Sequence, residues 1–439
     1  MSGKIRKESK GITLIALVIT IIVLLILAGV AIVTLTGDNG ILTQAGKAKT
    51  ETNNAEAEEQ VNLAILGSKG TDGKLNLETL KKNLTNQGIS YEDSDDFPLT
   101  ITINGEKKKI NSNGTITDSL KSIEEAKTEG TVFEKETTLE DKYENQIKIP
   151  ARFKIASDSA TEVTKGIVIE DAKYTNTIGS QFVWIPVGEV TGSVNGVKKT
   201  ETIKLSRYTF GSDGTPTDQG DNIIDSYYQE LATSDCGNAV AKDIEAFKSS
   251  ANNNHGYYIG RYEAGITGYD GFDEDNRNWA GTNIQVVCKA GQEVWNYITQ
   301  PKASEVSKNM YTGNKFTSDL INSYSWDTAI VFIQKFGDES NSQAYSKTEG
   351  TSITYNLQTT GTNILRETGN VDKQCNIYDM AGNCFEWSTE TYIDFSNPYV
   401  TLGGNWIPAG TYTSEREYHK LDSWGYNENA YSFRPILYL

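Results

Sequence analysis

The sequence predicts an α+β protein in which a long apolar N-terminal helix and a small hairpin-bearing unit precede a large α+β domain. Three observations predict it. No charged residue occurs from Ile12 to Thr36. Asn104-Gly105 sits between alternating apolar residues, the signature of a tight hairpin. From about Asn145 onward, strand-like runs such as QFVWIPV alternate with helix-like stretches such as SWDTAIVFIQKFG.

A chain of 439 residues is too long for one ordinary domain. Its net charge of -17 excludes nucleic acid as a partner, because phosphate binding needs clustered Lys and Arg. With only His255 and His419, three-histidine metal sites are excluded. The four cysteines, Cys236, Cys288, Cys375 and Cys384, form no CxxC pair, which argues against a zinc ribbon.

The N-terminus divides into a basic leader (1–11) and an uncharged helix (12–36). At ~1.5 Å per residue the helix spans roughly 37 Å, enough for a bilayer core of about 30 Å. Lys4, Arg6, Lys7 and Lys10 precede it, so the leader stays cytoplasmic and the rest lies outside. The stretch KGITLIALVITIIVLL resembles a type IV prepilin N-terminus. The resemblance implies cleavage by a prepilin peptidase between Gly11 and Ile12, and pilus or pseudopilus subunits as partners. Pilins usually carry Glu at mature position five; here that position is Ala16. A plain membrane anchor is the alternative. Either way the expectation is a membrane-anchored, cell-surface protein with an extracellular C-terminal domain. Residues 37–117 are expected to be a pilin-like helix and small sheet, with NLETLKKNLTNQG as a short helix and 99–116 as a hairpin. The acidic stretch 118–145 lacks apolar periodicity and is expected to be a linker or stalk.

Residues 146–439 form the expected large domain. QFVWIPV and GYYIGRYEAG are expected strands, KDIEAFKSS and SWDTAIVFIQKFG expected helices, and the terminal SFRPILYL a strand paired with QFVWIPV. The stretch NIYDMAGNCFEW places Asp379 and Glu386 among Tyr378, Met380, Phe385 and Trp387. Carboxylates in such company form a polar knot, a cation site or part of a catalytic site.

In order, FVWIPV, YYIGRYEAG, YDMAGNCFEW, LGGNW and SFRPILYL resemble the formylglycine-generating enzyme (sulfatase-modifying factor) family, which has a C-type-lectin-like fold. The resemblance implies a structural Ca²⁺ held by the side chains of Asp379 and Glu386 and the carbonyls of Gly382 and Cys384. The family's oxidases use a cysteine pair beyond the glycine pair of LGGNW. No cysteine follows Gly404 here, so the known catalysis is not expected and the chain is read as a non-enzyme. Cys375 and Cys384 are expected to be a disulfide or two core thiols.

The segment 405–431 is rich in Tyr, Trp and Arg, the residues recognition surfaces favour. Tyr412, Arg416, Tyr418, Trp424 and Tyr426 are its candidate contacts. The expected function is a surface-displayed, pilin-like anchored adhesin that binds an extracellular glycan or protein. An extracellular enzyme of the same fold, or a minor pilin capping a fibre, are the alternatives.

Overall fold

The structure, a computed structural model, describes residues 18–19, 21–23, 25, 41–211, 213–234, 237–267, 285–337, 373–380, 382–394, 396–404, 413–419 and 430–439. The chain forms two compact units, Met1–Leu120 and Lys121–Leu439.

In the first unit, helix α1 (Ile41–Leu66) and helix α2 (Leu77–Asn86) accompany an antiparallel sheet of β1 (Ser90–Tyr91), β2 (Leu99–Ile103), β3 (Glu106–Ile110) and β4 (Ile116–Asp118), in that order. The Asn76 side chain caps α2 by accepting from the Thr79 N–H at 2.9 Å. Asn104 (φ 51°) and Gly105 (φ 87°) turn β2 into β3 with two positive φ values, the requirement of a type I′ hairpin. The alternate residues Leu99, Ile101 and Ile103 of β2 pack with Val61, Ala64 and Ile65 of α1 and Leu80 and Leu84 of α2.

The second unit begins earlier than the sequence suggests. Residues 118–145 are not a stalk. Helix α3 (Ile123–Glu129) starts on a reciprocal capping box between Ser122 and Glu125. Ile123, Ala126, Phe133 and Leu139 are buried in the unit's core. They are too widely spaced to show a periodicity, which is why the stretch reads as a linker.

The strands that position the site are β5 (Phe153–Ile155), β6 (Val168–Asp171), β7 (Gln181–Pro186), β8 (Tyr228–Glu230) and β9 (Gly256–Gly260). They continue with β10 (Thr317–Leu320), β11 (Phe385–Tyr392), β12 (Tyr399–Leu402), β13 (Arg416–His419), β14 (Tyr431–Phe433) and β15 (Pro435–Tyr438). One sheet runs β10-β15-β9-β7-β6-β5. A second runs β8-β11-β12-β13, with β14 parallel to β11. The terminal strand β15 therefore pairs with β9 and β10, and β9 separates it from β7, its expected partner. All five residues of β9 are buried, and such a strand needs a neighbour on each edge. Helices α4 (Ile244–Asn253) and α5 (Gln300–Asn309) cover these sheets, as does α6 (Ser323–Phe336), which is buried along nearly its whole length.

Among the described residues no helix is long and apolar enough to cross a membrane. The expected membrane-anchored localisation is corrected on that finding, as is a fold class led by a long apolar helix. The long helix that is described, α1, carries Lys47, Lys49, Glu51, Glu56, Glu58 and Glu59 and is polar. Residues 12–17 and 26–36, with the pair Gly11 and Ile12, lie outside the described residues. The architecture is one of small sheets and short helices in place of the expected pilin-type helix and lectin-like domain.

Two glycine substitutions separate backbone strain alone from strain combined with crowding, since Gly105 and Gly256 both have positive φ, 87° and 157°. A Cβ on Gly105 meets nothing within 4 Å, whereas one on Gly256 would lie 2.3 Å from the Trp184 ring and 2.6 Å from the Ile185 carbonyl. Gly105→Ala is expected to cost about 1–2 kcal/mol from its positive φ alone. Gly256→Ala is expected to cost about 3 kcal/mol. Urea denaturation reads both values, and equal losses would contradict the packing at β9.

Candidate functional site

Strand β11, FEWSTETY, is built of aromatic and β-branched residues that favour a strand. Seven of its eight residues are buried, and two of these are the acids Glu386 and Glu390. A buried carboxylate is costly unless it is paired or hydrogen-bonded. Each of the two is met by arginine.

Glu386 faces Arg434, at the β14–β15 junction. The Arg434 Nε donates to both carboxylate oxygens at 3.1 and 3.0 Å, and Nη2 donates to Oε1 at 2.6 Å. The same guanidinium donates to the carbonyls of Gly260 and Tyr378 at 2.9 and 2.8 Å. Beside it, Glu263 accepts from the Cys384 N–H at 2.9 Å and from the Asn383 side-chain amide. Burial, then Asp379 and Glu386, push the Glu263 carboxyl well above the usual range, and Arg434 opposes them. Asp379 is buried in the same cluster with a positive φ of 56°.

Of the expected Ca²⁺ set of Asp379, Gly382, Cys384 and Glu386, Glu386 lies against Arg434 and Asp379 is buried in the same cluster. Both oxygens of Glu386 are engaged by a guanidinium, and those of Glu263 are directed at Asn383 and Cys384. Ca²⁺ takes six to eight oxygen ligands. Among the described residues no group of three His, Cys, Asp or Glu is arranged to hold a metal ion. The stretch that opens β11 is a hydrogen-bonded ionic knot. Cys375 and Cys384 are free thiols, and burial pushes the Cys375 thiol up to about 12.

The second knot surrounds Glu390. Arg207 donates to Glu390 Oε1, and Arg416 Nε donates to Oε2 at 2.8 Å. Arg416 Nη2 also donates to Asp327 Oδ2, on α6, at 2.7 Å. The Arg207 Nε donates to the Ser323 hydroxyl at 2.7 Å. Glu230 accepts from the Ser323 N–H at 2.7 Å, the Ser323 hydroxyl at 3.0 Å and the Thr389 hydroxyl at 3.0 Å. Arg416 is thus an internal tie with a side chain only 6% exposed, and the expectation that it contacts a ligand is corrected. Asp327, which pairs with no other cation among the described residues, and Glu390, already met by Arg207, hold it inward.

Two residues along each strand the same sheet face turns aromatic. Tyr392 of β11 lies opposite Tyr228 of β8, as Glu390 lies opposite Glu230. Tyr418 follows Arg416 on β13 in the same way. The Tyr418 ring stacks on Tyr392 at 4.3 Å between centroids and 14° between planes. Tyr227 stacks on Tyr392 at 5.4 Å and 21°, and Tyr228 meets it edge-on at 5.3 Å. Tyr227 and Tyr418 are 49% and 51% exposed, so the ladder stands at the surface. Next on β13, His419 is enclosed by Trp387 and Tyr431 and contacts Thr401 Oγ1 at 3.0 Å. Burial pushes its imidazole down to about 4, so it is neutral at pH 7.

Of the expected contacts, Tyr418 is exposed where predicted, while Tyr412, Trp424 and Tyr426 lie outside the described residues. Tyr227, Tyr392, Glu230, Asp327, Glu390 and Arg434 were not singled out. Their sequence signal is faint: a Tyr or an Arg alternating with an acid or a Tyr (YQE, ETY, REY), and one acid inside the apolar helix α6.

No family model, curated protein or solved structure matches this chain.

The first knot makes a direct prediction. Arg434→Met leaves Glu386 buried without its cation and is expected to destabilise the second unit by about 3–5 kcal/mol. Adding Glu386→Gln should recover part of that loss. A loss under about 1 kcal/mol in urea denaturation would show that the Glu386 charge is solvated.

Proposed function

We propose that this chain is a ligand-binding protein whose recognition face is the tyrosine ladder Tyr227–Tyr392–Tyr418, and that its ligand is an oligosaccharide without negative charge. The observation that carries this reading is the ladder: two tyrosines each half exposed, held in fixed stacks on a third. Rings already ordered lose little entropy on contact. Each offers an apolar face for the C–H side of a sugar ring and a phenol hydroxyl for its polar edge. The net charge of -17 disfavours polyanions.

The motif resemblance to the formylglycine-generating enzyme family, without the lectin-like fold it implied, belongs to the same reading. What supports it is that three of the segments that carry it, YYIGRYEAG, YDMAGNCFEW and SFRPILYL, meet in the Glu263–Glu386–Arg434 knot. With no cysteine after Gly404, the scaffold is read as binding and not as oxidising.

A panel of immobilised neutral oligosaccharides, probed with the full chain, tests the proposal. Tyr227→Ala and Tyr418→Ala should each leave stability within about 1 kcal/mol, because both rings are half exposed. At least one should weaken binding by about 2 kcal/mol or more. Binding unchanged in both variants, or no sugar retained by the unaltered chain, would reject the ladder as the site.

A further inference from the structure

We propose that Glu230 is a pH-sensitive latch beneath the tyrosine ladder: protonated, it lets β8 close against β11, and ionised, it sets a second buried negative charge against Glu390 and loosens the ladder's two outer strands. The regulatory part of this proposal rests on the reading of the ladder as the recognition face; the latch itself rests on the geometry below it.

Glu230 and Glu390 are directly opposed on antiparallel strands. Like charges at such positions destabilise the pair. The cluster holds three carboxylates, Glu230, Glu390 and Asp327, against two guanidiniums. Arg416 is shared by Glu390 and Asp327, and Arg207 binds Glu390. Among the described residues no Lys, Arg or His is ion-paired with Glu230. Its partners are the Ser323 N–H and hydroxyl from α6 and the Thr389 hydroxyl from β11. The charged and titratable groups that act on it are Glu390 from β11, Arg207 from the segment before Tyr208, and Tyr324 from α6. Asp327, also on α6, shares Arg416 with Glu390. Its own Oδ1 is buried without a hydrogen-bond partner, as expected of a cluster with one acceptor too many.

Burial first, then Glu390, push the Glu230 carboxyl up to about 7 from its ordinary value of 4.5. Because the folded value is the higher one, the contribution of this group to stability is complete below about pH 4.5 and is lost as pH rises through about 7. The transmission is short. Glu230 lies two residues from Tyr228 on β8 and three from Tyr227 in the turn before it, and Glu390 holds Arg416, two residues from Tyr418 on β13.

The test compares thermal melting of the full chain and of Glu230→Gln at pH 4.5 and pH 7.5. Glutamine keeps the shape and removes the charge. The variant should match the unaltered chain at pH 4.5 and melt about 3 °C or more higher at pH 7.5. The same difference at both pH values, or a lower melting point at pH 7.5, would overturn the latch. Hydrogen exchange of the unaltered chain, corrected for intrinsic rate, supplies a second readout at pH 6 and pH 8. Protection should fall at 227–230 and 416–419 and hold at 256–260; an even change across the three segments would also overturn it. Neither experiment uses a ligand, so failure here leaves the sugar panel to judge the ladder independently.

Discussion

The second unit is organised by one constraint: strand β11 buries two carboxylates, and each needs a cation from elsewhere in the chain. Arg434 answers Glu386, and Arg207 and Arg416 answer Glu390. These contacts bring the last strands, the segment around residue 207 and strand β13 onto β11. A buried ion pair contributes little net stability over an apolar pair of the same shape, yet losing one partner is expensive. Its effect is selective: alternative packings that leave Glu386 or Glu390 without an arginine are strongly disfavoured.

That selectivity shapes the surface. One sheet face passes, within two residues, from a buried ionic cluster to an exposed aromatic ladder. Glu230, Glu390 and Arg416 occupy the inner level and Tyr228, Tyr392 and Tyr418 the outer one. The inner level fixes the strands' register and spacing, and the outer level inherits both. The stacking of Tyr418 on Tyr392 follows from where Arg416 is held, so the exposed rings are fixed by the buried cluster.

Local patterns were legible in the sequence. Asn104-Gly105 marked its hairpin, and NLETLKKNLTNQG its helix, α2. The apolar texture of β7 announced a buried strand, and SWDTAIVFIQKFG announced a helix, though one buried on more faces than an amphipathic pattern implies. Pairings between distant residues were not legible, because nothing near Glu386 specifies Arg434, and nothing near Arg416 announces that Asp327 and Glu390 would draw it inside. Composition marked Arg416 and Tyr418 alike as surface residues, but burial separates them. The stretch 118–145 misled because its few apolar residues serve different elements. The acids of NIYDMAGNCFEW were read as knot or cation site, and the arginine that meets Glu386 lies in another motif.

The tie between β11 and β13 can be measured directly by a double-mutant cycle of Glu390→Gln and Arg416→Met in urea denaturation. If the pair sets the position of β13, the two losses should couple by about 2 kcal/mol. Losses that add to within about 0.5 kcal/mol would show that β13 is held by something else and that the ionic cluster does not position the ladder.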